Sequence, residues 1–185
     1  MTSFIDAYNR VDRLIEEHYG LRSTIGDVLD PNTGDFDGES IKVDYTLNAE
    51  QSLFVLLHLF GHTVQWCTNE EFRDLGQQTV NGATPEQLAK IEIYERDATR
   101  YAIQLMHEAG VHDLDQWASD WWLADWECLK AFYTSGVTLD QNEVGHHVRG
   151  NSTPPLTPLP IPPFEPKRYV SRWAFAFEET RDRLS

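Results

Sequence analysis

From residue 3 to residue 19 apolar positions recur at steps of three and four. Ile5, Tyr8, Val11, Leu14, Ile15 and His18 share one stripe, which predicts an amphipathic helix ended by Gly20. Turn residues at Asp30-Pro31-Asn32-Thr33-Gly34 and Asp37-Gly38 then separate two short strands. In the second strand Ile41, Val43 and Tyr45 alternate with Lys42, Asp44 and Thr46, one dry face against one wet face, a pattern suited to a sheet edge. Asn48 and Gln51 have the spacing of a capping box, and the helix AEQSLFVLLHLFGHTVQW follows. Its middle is apolar on every side, which places it in the centre of the domain.

A polar connection, NEEFRDLGQQTVNGAT, leads to Pro85 at the first turn of the next helix. Leu88, Ile91, Ala98, Tyr101, Ala102 and Leu105 form its core stripe, and Gly110 stops it. The following helix, LDQWASDWWLADWECLKAFYTSG, carries one stripe of Leu114, Trp117, Trp121, Ala124 and Cys128 beside a second of Ala118, Trp122, Leu129 and Tyr133. So wide an apolar arc fits a helix wedged between two layers, or one that offers part of its aromatic surface to a partner. Residues 151–168 hold seven of the nine prolines and can be neither helix nor central strand, so they read as an extended strap. Tyr169, Trp173, Phe175 and Phe177 beyond it alternate as in a strand returning to the domain. The strap is the one credible boundary, dividing a domain at 1–150 from a strap and C-terminal strand at 151–185 that pack on it.

Composition narrows the class. At 185 residues a single domain buries roughly 70% of its extended-chain surface and folds without disulfides or a structural metal. The net charge of −15 opposes phosphate contact, so direct nucleic-acid binding is not expected. Cys67 and Cys128 form no CxxC pair, as expected of two thiols in a reducing compartment. There is no signal-peptide pattern and no run of about 18 apolar residues, so a cytoplasmic bacterial protein without membrane contact is expected.

The chemistry concentrates in the central helix. His58 and His62 are four residues apart, so both imidazoles project from one side, the arrangement that a tetrahedral zinc asks of two nitrogen ligands. Buried imidazoles carry polar nitrogens that need partners, and a metal with an outer acceptor satisfies them. Without a metal they are core histidines bonded to carbonyls. A third ligand is expected from another helix. Glu95 is the first candidate, because it lies next to Ala98 and Ala102, whose small side chains permit a close helix approach; Glu92, one turn earlier, is the reserve.

The segments LFVLLHLFGH and ERDATRYAIQLM, in this order of elements, resemble the ImmA/IrrE family of bacterial zinc metallopeptidases over about residues 4–135. The family's active-site helix reads HExxH, and its following helix roughly ExxANxFAxxLLMP. The resemblance implies an α+β, zincin-like metallopeptidase fold, mostly helical, with a small sheet whose edge strand flanks the active-site helix. It implies zinc on His58, His62 and Glu95, with Thr99 at the family's Asn position as an outer hydrogen-bonding residue. The departure is Leu59, which stands where the family has its general-base Glu. A leucine can neither take a proton from bound water nor return it to a leaving amine.

The expected function is therefore that of a pseudopeptidase. It keeps zinc and binds a regulatory protein, a helix-turn-helix repressor being the class the resemblance suggests, with a peptide added along the strand of Ile41, Val43 and Tyr45. The alternatives are an active zinc peptidase with a substitute base and a metal-free interaction module. Glu50, Glu70 and Glu71 flank the histidine helix but are poor substitutes, being about 12 Å away by helical rise. His107, His112, His146 and His147 reach the site only through tertiary folding.

Overall fold

The computed structural model describes residues 1–29, 32–77, 82–137, 144, 148 and 154–169. Among them the chain is α+β: five helices and one three-stranded sheet. Helix α1 (Phe4–Glu17) starts where the Ser3 side chain accepts from the Asp6 amide, and it buries Ala7, Val11 and Ile15. Ile5 of the expected stripe faces outward and is exposed, so the core face is rotated toward Ala7.

The sheet corrects the expected strand pattern. Strands β1 (Arg22–Gly26), β2 (Gly34–Phe36) and β3 (Ser40–Asp44) lie in the order β1-β3-β2, with β1 parallel and β2 antiparallel to β3. The strand of Ile41 and Val43 is thus the central one. Both side chains are fully buried, while Tyr45 lies past the strand end and is exposed. The reason is the Asp37-Gly38 turn. Gly38 adopts φ 93°, and Asp37 Oδ1 accepts the Glu39 and Ser40 amides at 3.0 and 2.8 Å, which folds Gly34–Phe36 back as a hairpin partner. Three residues are too few to show a period of two.

Helix α2 (Ala49–Thr68) opens with the expected capping box. Asn48 Oδ1 accepts the Gln51 amide at 3.0 Å, and Gln51 Oε1 accepts the Asn48 amide at 3.1 Å. Within the polar connection Asn69 caps a further short helix, α3 (Glu70–Gly76), accepting from the Phe72 amide. Helix α4 (Pro85–Glu108) carries its own capping box, formed by Thr84 and Gln87. Where α4 crosses α2, a Cβ on Gly61 would collide with the Ala98 carbonyl, so the glycine sets how closely the two helices approach.

Helix α5 (Asp115–Ser135) closes the other side and ends at Gly136 in a left-handed conformation, φ 74°. Its tryptophans are largely committed inward. Trp121 stacks on Phe54 at 5.0 Å, and the indole N–H groups of Trp117 and Trp121 both donate to Glu50 Oε1, at 2.9 and 3.0 Å. This agrees with a helix wedged between layers.

The strap lies on the domain from Pro154 to Tyr169. The Leu156 amide donates to Ser119 Oγ at 2.8 Å, Arg100 Nε donates to the Thr157 carbonyl at 2.9 Å, and the Leu159 amide donates to the Arg100 carbonyl at 3.1 Å. Phe164 stacks on Tyr19 at 5.6 Å, and the Tyr169 amide donates to the Asp37 carbonyl at 2.7 Å. Beyond Tyr169 the expected C-terminal strand lies outside the described residues. Leu156, Ile161 and Phe164 pack against the core, and half-burying three such side chains contributes about 3 kcal/mol. Truncation after Arg149 is therefore expected to lower the melting temperature by about 6–12 °C for a chain of this size. A truncated chain melting with the full one, read by differential scanning calorimetry, would show that the strap contributes nothing.

Candidate metal centre

The central helix is buried from Gln51 to Leu57 and from Phe60 to Trp66, so polar side chains on that stretch must find partners inside the protein. His58 and His62 find each other and Glu95. His58 Nε2 is 2.9 Å from His62 Nε2, and Glu95 Oε2 is 3.2 Å from each of them. A tetrahedral ion with bonds of about 2.0 Å holds its ligand atoms roughly 3.3 Å apart, so this spacing already fits one ion. Among the described residues this is the one group of three or more such side chains whose ligand atoms converge, all within 4.8 Å of one another. Donor chemistry fits as well, since two imidazoles and a carboxylate form a set common for zinc. Gly61 makes the convergence possible. It lets the backbone of α4 approach at Ala98, one turn from Glu95.

The proton on His62 is assigned by its neighbours. The Tyr94 carbonyl can only accept, so Gln65 turns Nε2 toward it at 2.7 Å; Gln65 Oε1 is then the acceptor facing His62 Nδ1 at 2.9 Å. His62 Nδ1 therefore carries the hydrogen, and its Nε2 lone pair points into the centre. Tyr94 also stacks on the His62 ring at 4.4 Å, and Phe36 lies on that ring at 6.0 Å. His58 is held differently. Phe54 stacks on it at 5.6 Å, and its Nδ1 is buried with no hydrogen-bond partner among the described residues.

The electrostatics follow from burial and crowding. Burial alone would raise the Glu95 carboxyl, but the electrostatic pull of the two histidines around it, with the hydrogen bond from His58, outweighs this and holds it down at about 2. Burial would likewise lower His58, yet the hydrogen bond and charge of Glu95 reverse this and raise it. For His62, burial together with the neighbouring charge of His58 keeps the ring low and favours its neutral form. Two residues of α5 complete the surroundings. The Tyr133 hydroxyl titrates in the field of Glu95, and burial with the nearby carboxylates raises its pKa. Asp125 is buried, and its carboxyl is pushed up to about 6 by that burial, with His58 drawing it back and Glu95 adding to the rise.

Other expected site residues fall elsewhere. Glu92 is not among the converging side chains. Thr99 is buried beside the centre, but its hydroxyl goes to the Glu95 backbone carbonyl at 3.5 Å rather than to the carboxylate. Ile41 and Val43 lie in the central strand and offer no free edge, because β1 and β2 occupy both sides; Tyr45 is beyond the paired register. Leu59 packs toward β2, where a Cβ on Gly34 would meet its Cδ1 at 2.8 Å. His107 stands twelve residues along α4 from Glu95, about 18 Å by rise, and binds Asp115 Oδ1 at 2.8 Å. His146 and His147 lie outside the described residues.

Sequence reasoning passed over Gln65, Asp125 and Tyr133 as partners of the centre. Each had a readable signal. Gln65 is three residues after His62, hence on its face, and Asp125 is four after Trp121 and three after Trp122, in the middle of the apolar arc. Tyr133, eight after Asp125, lies on the same side.

No protein-family model, no curated protein and no solved structure matches this chain. Among the described residues no helix is long and apolar enough to cross a membrane.

Proposed function

We propose that this chain is a zinc-binding protein of zincin-like architecture, akin to the ImmA/IrrE peptidases, that has kept the metal centre and lost hydrolysis. The observation that carries the reading is the meeting of His58 Nε2, His62 Nε2 and Glu95 Oε2 at ligand-like separations between α2 and α4. Those three residues would hold the ion, and three protein ligands leave a fourth position for water or for an oxygen of a bound molecule. Bound zinc would act there as a Lewis acid toward that oxygen.

The chain's own residues supply little proton chemistry on the helix itself. Leu59 is apolar and turned toward Gly34 of β2, and Glu50 is occupied by two indole donors. General-base assistance is typically worth 10²–10⁴-fold, so without it peptide hydrolysis falls below detection while binding persists. The expected ligand is a protein segment, with a transcriptional regulator of the helix-turn-helix type as the class the resemblance suggests. Zinc-loaded protein should therefore leave an unfolded casein substrate intact in a gel assay. Cleavage that a chelator abolishes would replace this reading with that of an active peptidase.

A further inference from the structure

Loading a metal on His58 and His62 creates a demand that the three ligands do not meet. His62 is already prepared, because Gln65 fixes its hydrogen on Nδ1 and leaves Nε2 bare. The His58 and His62 Nε2 atoms are 2.9 Å apart, and two lone pairs do not approach so closely, so in the metal-free protein the hydrogen between them sits on His58 Nε2. A metal displaces that hydrogen. Neutral His58 must then carry its hydrogen on Nδ1, a buried atom with no partner among the described residues. A buried N–H left unpaired costs about 1–3 kcal/mol, and metal-bound histidines almost always donate that N–H to an outer acceptor.

Long side chains of helix α5 meet those of α2 in a register that aims one acceptor toward this position. Trp117 and Trp121 meet Glu50, Trp121 stacks on Phe54, and Phe54 stacks on His58. Asp125 lies one turn beyond Trp121 as His58 lies one turn beyond Phe54, which sets the two at corresponding positions of α5 and α2, and the Asp125 carboxyl responds to the charge of His58. It is 8% exposed, and it makes no hydrogen bond or ion pair with another described residue. A nearly buried carboxylate and an unpartnered buried imidazole nitrogen thus occupy corresponding positions on α5 and α2.

We propose that Asp125 is the positioning residue of His58. In the metal-loaded protein its carboxylate accepts the Nδ1–H of His58, directly or through one water. Charge supports the same assignment. With both histidines neutral, Glu95 balances half the charge of a divalent ion, and Asp125 balances the rest, so the buried centre is neutral overall. The inference rests on the metal reading above and extends it to a helix that supplies no ligand.

The test is zinc affinity, measured by competition with a chromophoric chelator on the full chain. Asp125→Asn keeps the shape and an acceptor but removes the charge, and it is expected to weaken binding about tenfold; Asp125→Ala removes both and is expected to approach about 100-fold. Glu127→Gln, an exposed change on the same helix, should leave affinity unchanged. A second readout needs no substitution: long-range ¹⁵N–¹H spectra of zinc-loaded wild type should show His58 protonated on Nδ1. Both Asp125 variants binding zinc within twofold of wild type, or His58 protonated on Nε2, would overturn the role of Asp125 while leaving the metal site standing. Failure of wild type itself to take zinc would overturn the metal reading and this inference together.

Discussion

His62→Ala is expected to abolish stoichiometric zinc binding. The substitution removes one of the three proposed ligands and leaves Gln65 Oε1 without its donor. Buried zinc sites have apparent binding energies of about 10–16 kcal/mol, so one ligand of three accounts for about 4 kcal/mol, roughly a thousandfold in affinity. Melting curves give the check. At a free zinc concentration about 100 times its dissociation constant, wild type gains about 2.7 kcal/mol, which for a chain of this size is a rise of about 5–10 °C. His62→Ala should show no rise. A variant stabilised as much as wild type would mean that zinc binds elsewhere.

Gly61→Ala is the second large effect, and here two terms oppose each other. Alanine is the better helix former by about 1 kcal/mol. Against this, the added Cβ meets the carbonyl, carbon and Cα of Ala98, backbone atoms that move only if the whole helix moves. Overpacking of this kind costs about 1–3 kcal/mol and more where backbone must shift, so the clash wins. The expected net loss is about 2 kcal/mol, or about 4–8 °C in melting temperature. Because Glu95 is one turn from Ala98, a helix displaced by several tenths of an ångström also carries the carboxylate out of ligand range, and zinc affinity should fall at least tenfold. Unchanged stability and affinity in Gly61→Ala would show that the crossing does not position the site.

These two residues belong to the part of the molecule that the sequence made plain. A helix apolar on all sides has to be central, and an i, i+4 histidine pair on it has to face one point. Ala98 and Ala102 mark the face by which a second helix comes close, so Glu95 was readable as the third member. Both capping boxes were legible because each depends on a local spacing of three residues. What escaped depends on contacts distant in sequence. The β2 strand has three residues, and the central place of β3 is decided by β1 and β2 pairing from either side, which alternation along one strand does not encode. The peptide-binding edge assigned to Ile41 and Val43 failed for that reason. Asp125 escaped on other grounds: in a helix with several acidic residues, its place within the aromatic arc acquires meaning only when α5 is laid beside α2.

The central claim is a metal held by His58, His62 and Glu95, and anomalous scattering at the zinc edge from crystals of untagged, zinc-loaded protein tests it most directly. The account predicts a single peak about 2.0–2.2 Å from His58 Nε2, His62 Nε2 and a Glu95 carboxylate oxygen. A pocket without a peak, or zinc seated only on other side chains, would contradict it.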